Sequence, residues 1–214
     1  MLRPESLHNS SHIHDKKDEA RKSVARVSKI AAIFGCLLWL MAAGFYYRKL
    51  MLFETQPGRS AHAPSVWPKG NGLRLDSGKP TLVQFLHPKC SCSRASLEQV
   101  AKLQAEFPKH FSTVLVVWQP ATGDKSWGAL PMPVENRLAI DQIVWDRAGR
   151  IATQFDAHTS GQTYIYNPDG RLRFAGGVTS VRASAIPGPA LAMLEAVFSA
   201  KSGPTYLPVF GCGF

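Results

Sequence analysis

The chain has 214 residues, of which 25 are Lys or Arg and 15 are Asp or Glu, giving a net charge of +10 and a pI near 9.7. This length allows one ordinary domain and a membrane anchor, and excludes two large domains. The basic residues are scattered and form no Lys/Arg-rich run, so we expect no nucleic-acid partner.

An uncharged hydrophobic run extends from Ile30 to Tyr47. As a helix, this run spans about 27 Å, close to the hydrocarbon thickness of a bilayer. A cleaved signal peptide is the alternative, but a polar segment precedes the run, and Arg48 and Lys49 follow it where a cleavage site needs small residues. The sequence therefore predicts one uncleaved transmembrane helix, with the lipid bilayer as a partner.

Positive charges near the predicted span indicate its orientation. Those before it are Lys16, Lys17, Arg21, Lys22, Arg26 and Lys29. The smaller group after it is Arg48, Lys49 and Arg59. The more positive flank stays in the cytoplasm. In a bacterium, this predicts a single-pass protein of the inner (cytoplasmic) membrane with its C-terminal domain in the oxidising periplasm.

The composition divides the chain into four parts. Residues 1–29 are polar and are expected to form a disordered cytoplasmic tail. Residues 30–47 are the predicted transmembrane helix, and 48–74 are a linker whose prolines and glycines continue to the domain entry. Residues 75–214 are the predicted globular domain.

Strand and helix patterns alternate from residue 81 onward. The predicted strands are Thr81–Leu86, Thr113–Trp118, Ile143–Trp145, Thr163–Tyr166 and Leu172–Ala175. The predicted helices are 94–107, a short one around 134–139, a brief one after Gly149, and 190–200. Asp169-Gly170 predicts a hairpin between the last two strands. This order predicts an α/β domain with a mixed sheet.

Cys90 and Cys92 lie between the first strand and the helix that follows it. The first turn of a helix offers free N–H groups and a partial positive charge, which stabilise a thiolate and lower its pKa. Cys90 is therefore the predicted nucleophile. The neighbouring residues predicted to line the site, some of them positive or polarisable, are His87, Pro88, Lys89, Ser93 and Arg94.

Two cysteines compete to be the redox partner of Cys90. Residues two apart on a regular helix point about 200° away from one another, so a disulfide with Cys92 requires Cys90 to lie before the helix. Cys212, in a tail with a glycine on either side, is the other candidate and could resolve Cys90 or pair with Cys92. Cys36 lies in the hydrophobic run and is interpreted as a small apolar residue.

The segment Thr81–Ser93 resembles the strand, active-site turn and helix start of the thioredoxin superfamily, and residues 146–170 are similar to its membrane-anchored TlpA/ResA branch. The motifs FLHPKCSCSRAS, TSGQTYIY, FAGGVT and PVFGC resemble the RedB-like family over about residues 75–214. The resemblance implies a thioredoxin-like three-layer α/β/α sandwich with a mixed sheet. Arg182 belongs to the same pattern. It is interpreted either as an anion-binding residue near the site or as an exposed loop arginine.

The chain departs from standard thioredoxins at two positions. Ser93 replaces the second cysteine of their C-x-x-C motif, so the local pair is C-x-C. Gln162 stands where they place a cis-proline facing the dithiol, and is predicted to line the site.

Three kinds of function remain open from the sequence. The leading one is a thiol-disulfide oxidoreductase acting on protein thiols or disulfides, with Cys90 and Cys92 as catalytic residues, Cys212 as a candidate resolving residue, and no cofactor besides the redox-active disulfide. The second is a Sco-like copper protein that binds the metal through Cys90, Cys92 and His158. The third is a non-catalytic binding module on the same fold.

Overall fold

The computed structural model describes residues 5–59, 62–122, 127–128, 130, 138–184, 197 and 205–214. The chain forms two compact units, Met1–Phe53 and Glu54–Phe214. The helix predicted over 190–200 lies outside the described residues except Val197, and the one around 134–139 lies outside them up to residue 137. Leu138 and Ala139 are described and are not helical.

A single helix, α1, runs from Glu5 to Thr55. Its part Arg21–Thr55 is long and apolar enough to cross a membrane, a property that signal sequences share. The polar segment that the sequence predicts to be disordered is therefore helical from Glu5 onward, which corrects that expectation. The physical reason is that no proline interrupts the chain between Glu5 and Thr55, so the helix extends beyond the hydrophobic run on both sides.

The second unit is built on a six-stranded sheet with the strand order β3-β2-β1-β4-β5-β6. The strands are β1 Thr81–Leu86, β2 Ser112–Gln119, β3 Gln142–Arg147, β4 Gln162–Tyr166, β5 Leu172–Gly177 and β6 Thr205–Tyr206. Strands β1, β2 and β3 are parallel, β4 is antiparallel to both β1 and β5, and β6 is parallel to β5. The predicted mixed sheet is therefore confirmed.

Two helices complete the described part of this unit, α2 at Ser91–Glu106 and α3 at Arg150–Gln154. Alternate residues of β1 enter two separate apolar cores, because successive side chains of a strand point to opposite faces. Leu82 and Leu86 pack with α2 residues such as Leu97. Val83 and Phe85 pack on the other face with Ala152 of α3. The result is the predicted thioredoxin-like arrangement of three layers.

Asp146, near the end of β3, fixes the start of α3. This side chain is 1% exposed, and its carboxylate accepts the N–H groups of Ile151 at 2.9 Å and Ala152 at 2.8 Å. These two donors have no partner inside the helix, so the carboxylate replaces the missing hydrogen bonds of the first turn.

We expect Asp146→Ala to lower the free energy of unfolding by about 1–3 kcal/mol, since it leaves two N–H groups without an acceptor. Urea denaturation of the detergent-solubilised chain, followed by tryptophan fluorescence, measures the change. Asp146→Asn keeps one acceptor oxygen and should lose less. Equal stability of the alanine variant and the unmodified chain would contradict this capping role.

Candidate functional site

A tight turn over residues 87–90 connects β1 to α2 and positions the first cysteine. The Cys90 N–H donates to the His87 carbonyl at 3.1 Å, and Pro88 occupies the turn position that its fixed φ favours. Cys90 has an extended backbone (φ −107°, ψ 127°) immediately before α2, and Cys92 lies in the first helical turn. The sulfur of Cys90 is thus carried at the positive end of the helix dipole.

Three cysteine sulfurs meet at this point. The Sγ atoms of Cys90, Cys92 and Cys212 lie within 4.8 Å of one another, and those of Cys90 and Cys212 are 2.7 Å apart. Cys90 and Cys92 are buried, whereas Cys212 is exposed, and all are free thiols. Both candidate redox partners of Cys90 are therefore in reach of its sulfur.

The pKa values of the three thiols depend on one another, and Cys90 is the thiol most easily ionised. Hydrogen bonding from the Cys92 thiol, and then from Cys212, lowers the pKa of Cys90 to about 4, although burial opposes this shift. The pKa of Cys92 is raised by the same hydrogen bond and by burial. Burial and the hydrogen bond to Cys90 raise the pKa of Cys212 to about 11. The cluster thus favours one thiolate, at Cys90, stabilised by two S–H donors.

Cys212 reaches the site because the C-terminal tail, residues 210–214, pairs with an edge segment, residues 158–160. The Ser160 N–H donates to the Cys212 carbonyl at 2.8 Å. Two further backbone contacts, an antiparallel bridge between residues 159 and 213 and a hydrogen bond between residues 214 and 158, extend the pairing. The tail is therefore held as a short strand that carries its thiol to Cys90.

Arg182 and Gly211 hold this tail in place. The Arg182 guanidinium donates to the Gly211 carbonyl, and its positive charge lowers the pKa of Cys212, against the larger effects of burial and of Cys90. A side chain at Gly211 would overlap the Ser160 carbonyl. Of the two roles open for Arg182 from the sequence, the structure favours the one near the site: the guanidinium binds the tail backbone there, and its charge favours the Cys212 thiolate.

The His87 ring lies against two tryptophans that the sequence did not identify as site residues. It stacks on Trp118 with ring centroids 5.4 Å apart and meets the Trp127 ring edge-on at 5.5 Å. The Lys89 ammonium lies 4.0 Å from the Trp127 ring centroid. Burial lowers the pKa of His87, and Lys89 adds to the effect, while the Cys90 charge opposes it. The imidazole beside the cysteines is therefore mainly neutral at pH 7.

Ser93, at the place of the second thioredoxin cysteine, is fully buried and has a structural role. Its hydroxyl donates to the His87 carbonyl at 2.7 Å and lies 2.5 Å from the Ser160 hydroxyl. The His87 N–H donates to both serine oxygens, at 3.0 and 3.2 Å. This serine pair ties the active-site turn to the edge segment on which the tail docks.

Gln162 supports the edge segment from the first position of β4. Its side-chain carbonyl accepts the His158 N–H at 3.0 Å, and its amide donates to the Tyr164 hydroxyl at 2.8 Å. It is buried. Where the thioredoxin resemblance places a proline, this chain therefore uses a side-chain hydrogen bond to shape the same loop.

Two other predicted residues point their side chains elsewhere. The Arg94 guanidinium is 66% exposed and pairs with Glu98 one turn along α2, at 3.4 Å. The His158 imidazole Nε2 lies 2.5 Å from the Asp156 carboxylate. Among the described residues, the group that could hold a metal ion consists of Cys90, Cys92 and Cys212, and His158, a ligand in the alternative copper interpretation of the sequence, is not part of it.

The low pKa of Cys90 predicts how its alkylation varies with pH. A thiol whose pKa is lowered to about 4 is already ionised across the neutral range, so its reaction with iodoacetamide should stay nearly constant from about pH 8 down to about pH 6 and fall only as the pH approaches 4. An ordinary thiol instead loses nearly tenfold per pH unit below its pKa of about 8.5. Mass spectrometry of the reduced, metal-free chain measures the rate at Cys90. An ordinary rising profile at Cys90 would contradict the thiolate.

No family model and no curated protein sequence matches the chain. A hypothetical protein from Sinorhizobium meliloti superposes with a TM-score of 0.54 at 18% identity, covering 73% of this chain and 94% of that one. An uncharacterised conserved protein from Geobacillus kaustophilus gives a TM-score of 0.51 at 19% identity, covering 74% and 91%.

The thioredoxin domain of a thiol-disulfide oxidoreductase from Bacteroides vulgatus gives a TM-score of 0.42 at 19% identity and covers 67% of this chain and 98% of that one. The first two likenesses, at under 20% identity, are likenesses of fold. The strand order and directions described above give the unit Glu54–Phe214 the mixed α/β sheet that the sequence predicts.

Proposed function

We propose that this chain is a membrane-anchored thiol-disulfide oxidoreductase in which Cys90 is the nucleophile and Cys212 is the resolving cysteine. The observation that carries the proposal is the contact of the Cys90 sulfur, at the start of α2, with a thiol delivered by the tail. Disulfide exchange needs an attacking thiolate and a second thiol that can displace the mixed disulfide. Both groups are present here within one cluster.

The exchange proceeds in two steps that balance. The Cys90 thiolate attacks one sulfur of a substrate disulfide, forming a mixed disulfide and releasing the other substrate sulfur as a thiolate. The released substrate thiolate takes the proton of the Cys212 thiol. The Cys212 thiolate then attacks the Cys90 sulfur, releasing the second substrate thiolate and leaving a Cys90–Cys212 disulfide. The substrate gains two electrons and the chain loses two. In the reverse direction, the same disulfide oxidises a substrate dithiol.

Burial favours Cys212 over Cys92 as the resolving residue. Cys90 and Cys92 are 4% and 3% exposed, whereas Cys212 is exposed and brings its sulfur, in contact with Cys90, to the surface. A disulfide that includes Cys212 therefore presents a sulfur to a redox partner, which an internal C-x-C disulfide does not. In this proposal, Cys92 remains a thiol whose S–H hydrogen bond stabilises the Cys90 thiolate.

The anchor and the compartment complete the proposal. The segment Arg21–Thr55 has the length and hydropathy of a membrane span, and the excess of positive charge before it supports a cytoplasmic N-terminus. The domain is then periplasmic, where structural and catalytic disulfides form.

In intact bacterial cells, a membrane-impermeant maleimide should label Cys212 after reduction. Labelling only after lysis would contradict this topology.

A redox titration of the detergent-solubilised full chain tests the activity. We expect one two-electron transition in glutathione buffers, in which alkylation after acid quenching shows the loss of the thiols of Cys90 and Cys212 together. Cys36 and Cys92 should remain alkylated throughout the transition. A chain that retains all its thiols across the whole range of buffers would overturn the proposal.

A further inference from the structure

The cluster of three sulfurs also has the donor set of a metal site. We propose that Cys90, Cys92 and Cys212 together bind one monovalent copper ion, Cu(I), when all three are reduced. This function goes beyond disulfide exchange, because it uses all three thiols at once and transfers no electrons. It also differs in its ligands from the copper site that is the second alternative from the sequence, which includes His158.

The spacing of the sulfurs suits a single ion. A metal–thiolate bond of about 2.3 Å places three sulfurs around one ion at about 4 Å from one another. The three Sγ atoms here lie within 4.8 Å of one another, and the closest pair, Cys90 and Cys212, is at 2.7 Å. A small outward movement of the Cys212 sulfur would bring this closest pair to that spacing.

The number and softness of the donors favour Cu(I). Thiolates are soft ligands that select Cu(I), zinc or iron–sulfur clusters. Structural zinc sites are closed by four ligands. Among the described residues, the three cysteines form the whole group, and neither a fourth cysteine nor a histidine or carboxylate joins it. Catalytic zinc sites have three protein ligands and add a water as the fourth. Cu(I) accepts three sulfur ligands in a plane, so the three cysteines satisfy it without a further ligand.

The position of His158 supports the all-sulfur set. Its imidazole lies 2.5 Å from the Asp156 carboxylate, and it contributes to the site through its backbone, which pairs with residue 214. Cys212 occupies the third position instead, because the edge segment holds the tail against Cys90.

The surroundings of the cluster provide access and balance its charge. Cys212 is exposed, so an ion can reach the site from solvent without opening the core. Three thiolates around a single positive charge leave an excess of negative charge. The positive end of α2 offsets part of it, and so does Arg182, whose guanidinium binds the backbone beside Cys212.

Anaerobic titration of the reduced, detergent-solubilised full chain with Cu(I) tests this inference, with a chromogenic Cu(I) chelator as competitor. We expect one copper per chain, and X-ray absorption showing three sulfur neighbours. Cys212→Ser should weaken binding by about tenfold or more, because it removes one of three ligands. Cys36→Ser is the matched control, since it removes a cysteine outside the cluster, and it should bind like the unmodified chain.

Three outcomes would overturn the inference: no copper retained against the chelator, equal affinity in Cys212→Ser and the unmodified chain, or displacement of Cu(I) by equimolar Zn(II). His158→Ala should leave the affinity unchanged, and a large loss there would instead assign the histidine as a ligand. The redox titration described above is independent of this measurement. A chain that exchanges disulfides but binds no copper would reject the copper site alone.

Discussion

Replacing Cys90 with serine is expected to abolish thiol-disulfide exchange, with a loss of at least about a thousandfold in rate. A hydroxyl is not ionised near neutral pH and does not attack a disulfide. The other two cysteines of the cluster are poor substitutes, because burial still raises the pKa of Cys92 and of Cys212 when the hydrogen bond to the Cys90 sulfur is gone.

The measurement is the rate of reduction of a model protein disulfide by the pre-reduced full chain in detergent. Cys36→Ser provides the matched control, since Cys36 lies in α1 outside the cluster, and its rate should equal that of the unmodified chain. Circular dichroism checks that Cys90→Ser is folded. If the folded Cys90→Ser variant exchanged disulfides at the unmodified rate, the assignment of the nucleophile would be wrong.

Cys212→Ser is expected to separate the two steps of the reaction. The first attack by Cys90 should persist, whereas release of the substrate should slow by about a hundredfold or more, because the thiol 2.7 Å from Cys90 is absent. A mixed disulfide between Cys90 and the substrate should therefore accumulate.

Non-reducing electrophoresis and peptide mapping detect this adduct. Cys92→Ser is the informative comparison, because it keeps the proposed resolving residue and removes the other thiol near Cys90. We expect little trapped adduct in that variant, because Cys212 remains to displace the substrate from Cys90. Trapping in Cys92→Ser and none in Cys212→Ser would exchange the roles of the two cysteines.

Much of the sheet could be predicted from the sequence. The run from Thr81 to Leu86 is β1 itself, and the four other predicted strands differ from the structure by one or two residues at their ends. These strands are apolar runs bounded by turn residues, so their signal is local. Strand β6, Thr205–Tyr206, has only two residues. It forms through its pairing with β5. No periodic pattern in the sequence indicates this pairing.

From the sequence, the candidate site was predictable only where its residues are close together along the chain. The C-x-C motif and the following helix identify Cys90 and Cys92. Cys212 stayed an open alternative because 122 residues separate it from Cys90, and the pairing that joins them depends on backbone hydrogen bonds of the edge segment. Backbone groups are common to every residue, so such pairing leaves little trace in the side-chain pattern.

The same reason explains the site residues that were missed or misjudged. Trp118 lies in β2, and Trp127 lies farther along the chain. Both rings contact the His87 ring, although neither residue is close to His87 in the sequence. Arg182 reaches the tail through the carbonyl of Gly211. Gly211 is the residue in the sequence that indicates this docking of the tail, because a close approach of two backbones requires a residue without a side chain.

The most direct test of the proposed chemistry is a map of the disulfides in the chain as it exists in the membrane. Cells are quenched in acid, free thiols are alkylated, and the purified chain is digested and analysed by mass spectrometry. We predict a linked peptide pair that joins Cys90 to Cys212, with Cys36 and Cys92 alkylated. A disulfide between Cys90 and Cys92, or a linkage of Cys212 to any residue other than Cys90, would contradict the account.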